Sequence, residues 1–413
     1  MAPLSTGARA GDVDGPYAWM RLALSMLLST IGGIGMWSVV IALPAVQAEF
    51  GVARASAALP YTMAMVGLAT GNVLMGRLVD RIGITKPLLI AGTSLGLGYF
   101  AASRAGNLPA FALAYLVPIG LLGSSVTFGP LIADVSHWFV RRRGLAVSIC
   151  AAGNYVAGAI WPPLLQASIT AYGWRQTHLF AAVLCAGVIL PSALLLRRRA
   201  PAQAPRMRAA ADAAPVPGFL GFTPGTLQAL LCVAGVGCCV AMSMPQVQLV
   251  AYCGDLGYGA EAGARMLSVM LALGVVSRVG SGVIADRIGG LGTLLIGSLL
   301  QMTALLLYLG FSGLTSLYVI SGLFGLFQGG IVPSYAVIVR EYFPPREAGA
   351  RIGAVLTATM LGMALGGWMS GALYDLTGSY RGAFANGIAW NVLNAAIAML
   401  LVWRAGRWAT ATA

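Results

Sequence analysis

The 413-residue chain is 58% hydrophobic and 9% charged, where a soluble domain carries about 25% charged residues. With a mean hydropathy of +0.83, this excludes a water-solvated globule and leaves lipid as the main solvent. The net charge of +13 would suit a nucleic-acid binder if the bases shared one face, but they lie between apolar runs, so nucleic acid is not expected as a partner.

The first 16 residues are polar and contain Gly and Pro. The first apolar run is too long for a signal-peptide core, so the chain is expected to insert through its own first helix. Apolar stretches of at least 18 residues predict six helices at 18–46, 57–79, 87–105, 109–135, 144–170 and 177–196. Six more are predicted at 225–252, 263–285, 291–310, 315–340, 350–374 and 382–403, with ends placed to about 2–4 residues. The expected fold is an all-α membrane protein of twelve transmembrane helices in two pseudo-symmetric six-helix bundles. Between the halves, 197–223 combines a basic run with repeated Pro and Ala and reads as a solvated cytoplasmic linker. The domains are therefore 1–196, 197–223 and 224–413. The 55 glycines suit close helix packing in lipid. The six cysteines lack zinc or disulfide spacing and read as small apolar residues.

Placing the N-terminus in the cytoplasm puts 19 of the 25 bases inside, five outside (Arg54, Arg104, Arg175, Arg265 and Arg381) and Arg278 in neither set. Both termini are then cytoplasmic, in an inner or plasma membrane. Gly76-Arg77-Leu78-Val79-Asp80-Arg81-Ile82-Gly83 recurs 206 residues later as Gly282-Val283-Ile284-Ala285-Asp286-Arg287-Ile288-Gly289. At nearly the same offset Gly144 matches Gly349, Trp161 matches Trp368, and Trp174-Arg175 matches Tyr380-Arg381, which indicates internal duplication.

Two six-helix halves, a cytoplasmic linker and the duplicated G-x-x-x-D-R-x-G make the chain resemble a major facilitator superfamily transporter over essentially its whole length. Gly76, Asp80, Arg81, Gly83, Asp286 and Arg287, with Arg141 and Arg142 before helix 5, are expected to form a conformational latch. Trp138-Phe139-Val140-Arg141-Arg142-Arg143-Gly144-Leu145-Ala146, continuing to Gly153, is similar to the monocarboxylate transporter signature aromatic-Phe-x-Lys-Arg-Arg-x-Leu-Ala. Asp14-Gly15-Pro16-Tyr17-Ala18-Trp19 approximates the signature that precedes helix 1 in that family. Related oxalate:formate exchangers carry a second cation on helix 11, where this chain reads Thr357-Ala358-Thr359-Met360-Leu361-Gly362.

Arg278 lies eight residues before Asp286, about 12 Å into a bilayer half about 15 Å deep. A charge there is costly and points to a water-filled cavity or an anionic partner. All twelve acids fall in tails, loops or helix ends, which makes the expected anion the substrate. A guanidinium offers carboxylates a planar fork and keeps its charge at any working pH. The bland alternative is an arginine satisfied by helix-end carbonyls or reaching an interface. The resemblance agrees with the binding role, since monocarboxylate transporters place a substrate-binding Arg on helix 8. Animal members also carry an Asp four residues earlier and a Lys in helix 1; here position 274 is Gly, and helix 1 has no charge between Leu22 and Gln47. Asn72, Ser124, Ser125, Thr127, Asn154, Tyr155, Gln246, Gln328 and Tyr335 are polar at comparable depth and complete the candidate site. His137 and His178 are expected to be solvated at helix ends. Trp37 and Tyr61 are expected to serve as packing, gate or lipid-facing groups.

No phosphate-binding loop, metal cluster or nucleophile–base pair appears, so no enzyme, cofactor or metal is expected. The predicted function is a secondary or facilitative transporter of small organic monoanions, working by alternating access around Arg278. The expected partners are a small carboxylate, with or without a co-transported proton, and the bilayer, with the chain as a monomer. The alternatives are a drug or sugar exporter of the same fold and a transporter-like anion sensor.

Overall fold

The computed structural model describes residues 13–198 and 220–412, so most of the expected 197–223 linker lies outside the described residues. The helices, numbered in chain order, are α1 (Pro16–Phe50), α2 (Arg54–Ile82), α3 (Thr85–Ser103) and α4 (Leu108–Ser136). Arg143–Leu195 is divided at Gly173 into α5 and α6, and α7 is Pro224–Asp255. Gly259–Gly310 is divided at Gly289 into α8 and α9. The last three are α10 (Leu314–Tyr342), α11 (Pro345–Thr377) and α12 (Tyr380–Thr412). Each expected apolar run falls on one helix. Several helices outrun the apolar stretch because polar groups support their ends: α8 and α11 open on the i, i+4 pairs Glu261–Arg265 and Glu347–Arg351.

The chain forms two compact units. Unit 1 is Met1–Phe50 with Met63–Ala204, and unit 2 is Gly51–Thr62 with Pro205–Ala413. Within lipid every backbone group must be satisfied inside the helices, so packing depends on how closely helices can approach. In unit 1, Gly33 of α1 faces Ala157 of α5, Gly67 and Gly71 of α2 face the Leu116 and Leu121 backbone of α4, and Gly92 of α3 faces Leu190 of α6. Unit 2 repeats the pairing: Gly362 and Gly366 of α11 face the Val236 and Val240 backbone of α7, and Gly325 of α10 faces Met270 of α8. Asn391 of α12 donates to the Ser298 carbonyl of α9 at 2.8 Å. Large apolar side chains such as Leu97 (63% exposed) and Val183 (74%) face outward, as expected for a lipid-contacting surface.

The duplication reaches the backbone. Gly51 and Gly257, and Gly83 and Gly289, are pairs of positive-φ glycines 206 residues apart, and Gly173 and Gly378 form a third pair 205 apart. Each pair turns the chain where one helix hands over to the next, in a conformation that disfavours a Cβ.

Four helices are interrupted among the described residues, α2 at Ala58 and α4 at 125–128 as well as the two that follow. In α1 the interruption is Gly33, between Pro16–Gly32 and Ile34–Phe50. In α10 it is Gly329–Gly330, between Leu314–Gln328 and Ile331–Tyr342. In α4 the α-helix widens to a π-helix over Tyr115–Ser124, which contains Pro118. Pro118 removes a backbone donor, and its own carbonyl accepts from Ser94 Oγ at 2.9 Å.

A Cβ at Gly325 would collide with the Met270 carbonyl, whereas one at Gly280 of α8 would meet nothing within 4 Å. Gly325→Ala should therefore part α8 from α10 and cost about 1–3 kcal/mol. The Gly280→Ala control should cost nothing. Apparent melting temperatures of the two purified variants in detergent check this.

Candidate functional site

The candidate site of unit 2 is built where α8 crosses the break in α10. Gly329 faces Gly274 and Ser277, and Gly330 faces Ser281, so the two backbones approach as closely as two helices can. On the same stretch of α8, half-buried Arg278 directs Nε at the Gly329 carbonyl, 3.5 Å away at the far end of hydrogen-bond range. The preceding residue, Gln328, is fully buried; its Oε1 accepts from Gln246 Nε2 of α7 at 3.1 Å. The Nε2 of Gln328 is buried and, among the described residues, finds no acceptor. An amide donor left in this condition costs free energy unless something fills it. Gln328 thus joins α10 to α7 one residue before the carbonyl that Arg278 of α8 reaches.

Tyr335, also expected at the site, is not in this group. Its hydroxyl donates to Asn394 Oδ1 at 3.0 Å, and Asn394 Nδ2 donates to Ser298 Oγ at 2.7 Å. Tyr335, Asn394 and Ser298 are each 0% exposed, and together they tie α10 to α12 and α9. The periodicity of α10 placed Tyr335 at the right depth but could not tell which neighbour its hydroxyl would meet.

In unit 1 the expected polar residues divide similarly. Ser124 Oγ donates to the Gly32 carbonyl at 3.0 Å, and Thr127 Oγ1 to the Ser124 carbonyl at 2.9 Å. Both fill the notch left by Gly32 and Gly35 of α1, so they serve the α1–α4 contact. Ser125 Oγ donates to the Leu121 carbonyl within α4. Asn72 of α2 lies beside Gly129 of α4, while Asn154 is half-buried and Tyr155 buried on α5.

His178 is a correction: it was expected to be solvated and is 1% exposed. Its Nε2 shares a 2.8 Å hydrogen bond with Tyr115 OH, and its Nδ1 lies 2.7 Å from the Trp174 carbonyl. Ser38 of α1 joins the same network, 2.9 Å from Tyr115 OH and 3.0 Å from Tyr99 OH. Aromatic partners from α3 and α4 close over a helix-end position that looks polar in the sequence. Trp37 and Tyr61 are also buried, at 2% and 0% exposed.

The Major Facilitator Superfamily profile matches residues 25–320 and 293–412. The chain belongs to the Major Facilitator Superfamily. Monocarboxylate transporter 13 of Bos taurus is 28% identical over 386 residues, covering 91% of this chain and 87% of the relative. Its Rattus norvegicus counterpart is 26% identical over 393 residues with the same coverage. The MFS-type transporter pynF of Aspergillus niger is 25% identical and covers 74% of this chain and 69% of its own. Among solved structures, nucleoside transporter NupG superposes with a TM-score of 0.72 at 13% identity, covering 93% of this chain and 99% of that one. A bacterial homolog of the human lysosomal transporter Spinster gives 0.69 at 12% identity, covering 94% and 97%; both likenesses show the fold alone. The protein is therefore a multi-pass membrane transporter of a small molecule, monocarboxylate transporter-like in sequence, and not an enzyme.

In this major facilitator chain the duplicated loop motif keeps its backbone in both copies, with φ of 79° at Gly83 and 77° at Gly289. Asp80, Arg81, Asp286 and Arg287 are exposed, as are Arg141 and Arg142, and Gly76 has open space around it. After the second copy, the Glu341 carboxylate accepts from Gly290 N at 3.0 Å and 3.2 Å, capping the start of α9. Near the first copy, Asp134 accepts from Arg21 Nε at 2.7 Å and from Nη2 at 2.9 Å, an ion pair buried on both sides. The guanidinium of Arg21 also lies over Trp138, 4.6 Å from the ring centre. This pair was not legible in the sequence, where Arg21 and Asp134 are 113 residues apart.

If Tyr335 is structural, Tyr335→Phe should lower stability by about 1–2 kcal/mol and leave the apparent KM for substrate unchanged. Thermal denaturation and uptake kinetics on the same preparation check both halves of that expectation.

Proposed function

We propose that this transporter carries small organic monoanions, monocarboxylates foremost, by alternating access of its two halves around Arg278. The observation that carries the proposal is a permanent cation half-buried deep in α8 that reaches the Gly329 carbonyl at the α10 break, one residue from Gln328 and its open donor. A guanidinium fork and one amide N–H supply the donors that a carboxylate accepts. The names of the mammalian relatives support the same substrate class.

Charge count narrows the class. Between Arg265 and Asp286, α8 carries no charged or titratable side chain besides Arg278, and α1 carries none between Leu22 and Gln47. A monoanion would neutralise one cation, whereas a dianion would leave a net negative charge in low dielectric. In this reading a co-transported proton is brought by the substrate.

The remaining parts follow the sequence. The halves are 1–196 and 224–413, and both termini and the 197–223 linker face the cytoplasm, where the bases concentrate. The exposed Asp80–Arg81 and Asp286–Arg287 pairs and Arg141–Arg142 act as the latch between states.

Arg278→Ala should abolish carboxylate uptake into proteoliposomes while the protein stays inserted and monodisperse. Arg278→Lys should do nearly as badly, because a point charge lacks the fork. Near-parental flux in Arg278→Ala would falsify the site. In competition assays at pH 7, lactate and pyruvate should inhibit uptake, and oxalate and succinate should inhibit weakly. Equal inhibition by dicarboxylates would require a second positive group.

A further inference from the structure

The duplication extends to an acid that both halves place at the end of a helix. Glu49 near the end of α1 and Asp255 at the end of α7 are 206 residues apart, as are Trp174 and Tyr380, and Arg175 and Arg381. In unit 1 the three residues of the first copy bind one another. Glu49 Oε2 accepts from Trp174 Nε1 at 2.6 Å, and Oε1 from Arg175 Nη2 at 2.6 Å.

In unit 2 the aromatic keeps its role and the arginine does not. Tyr380 OH donates to Asp255 Oδ2 at 3.1 Å, in the place of the Trp174 indole. The cation on Asp255 is Arg54, with Nη1 2.9 Å from Oδ2 and Nη2 3.4 Å from Oδ1. Arg54 also donates to Tyr380 OH and lies over the Tyr374 ring, 4.5 Å from its centre. The Asp375 carboxylate accepts from the backbone N–H groups of Arg54 and Ala55 at 2.9 Å and 2.7 Å. Arg381 is exposed and, among the described residues, makes no ion pair. It lines the same cavity of about 520 Å³ as Asp255, Tyr374 and Tyr380. At the 206 offset from Arg54 stands Ala260, so the substitute cation belongs to one copy alone.

Residues 51–62 pack in unit 2, yet the chain enters them from Phe50 and leaves them into Met63, both of unit 1. Movement of this segment away from α7, α11 and α12 would strip Asp255 of its cation. Asp255 is exposed, with 36% of its side chain accessible, whereas Arg54 is 8% exposed, so release would carry the buried cation into water and leave the carboxylate open to a second cation. The replacement is already built in, at the position that binds Glu49 in the other copy.

We propose that Asp255 exchanges cations during transport: Arg54 holds it while residues 51–62 are docked, and Arg381 takes it when they release. The exchange keeps the carboxylate paired in both states, and it does not depend on which substrate is carried.

The test uses full-length protein in proteoliposomes with Ala57→Cys as reporter, since Ala57 is 1% exposed in the docked segment. Labelling by a membrane-impermeant maleimide is read above the background of the native cysteines. Arg54→Ala should raise the labelling rate and Arg381→Ala should lower it, each by about two- to fivefold, the upper range for an exposed ion pair. The double variant should return toward the parent. Asp255→Asn, nearly isosteric, removes the carboxylate from both states and should also label like the parent. A static tie predicts otherwise: Arg381→Ala would match the parent, and Asp255→Asn would label as fast as Arg54→Ala. Either of those results, or no change in Arg54→Ala, overturns the exchange; Asp255→Asn keeps the test decisive where Arg54→Ala does not yield monodisperse protein.

Discussion

The approach of α10 to α8 sets the rest of unit 2. Gly325, Gly329 and Gly330 lie against the Met270 and Gly274 carbonyls and the Ser277 and Ser281 side chains, where no Cβ fits. Because the backbones touch, the break at Gly329–Gly330 lies beside Arg278, and the Gly329 carbonyl is within its reach. The same break ends the first part of α10 at Gln328, whose amide therefore meets Gln246 of α7. A larger residue at any of these glycines would separate the charge from the groups beside it. In a solvent that offers no hydrogen bonds, close backbone contact decides where polar groups can be afforded.

Unit 1 uses the same frame for a different end. Its α2–α4 contact, through Gly67 and Gly71, is the counterpart of α8–α10, and Asn72 stands 206 residues before Arg278. Where unit 2 has a cation beside the break of α10, unit 1 has an amide beside Gly129, which restarts α4 after its break at 125–128. Ser124 and Thr127 are consumed by the Gly32 notch. The duplication thus preserved helix pairing and turn glycines while the side chains diverged.

The sequence made the helices, their pairing of halves and Arg278 legible for simple reasons. A membrane span announces itself by length and hydropathy, and a lone charge inside one is conspicuous. It could not show what a Ser, Thr or Tyr at the right depth would bond, since that depends on the rotation of neighbouring helices. Tyr335 went to Asn394, and His178 was enclosed by Tyr115 and its own preceding turn. The Asp255–Arg54 pair was hidden for another reason. The 206-residue offset exposes Glu49 and Asp255 as counterparts, but it points to Arg381 as the partner, and only the fold reveals Arg54 in its place.

The distribution of acids sets the duplicated loop motif apart. Among the described residues, Glu49, Asp134, Asp255, Glu261 and Glu347 hold arginines. Asp14, Glu341 and Asp375 accept from backbone N–H groups. Only Asp80 and Asp286 have neither a hydrogen bond nor an ion pair among the described residues, and they are the same motif position in the two copies. In a chain this poor in acids, carboxylates that serve one fixed structure are all engaged in it. Two left exposed at matched positions, each followed by an arginine and by a turn glycine held at positive φ two residues beyond it, contribute little to the arrangement described. Under the proposed latch they would pair in a different arrangement of the same helices.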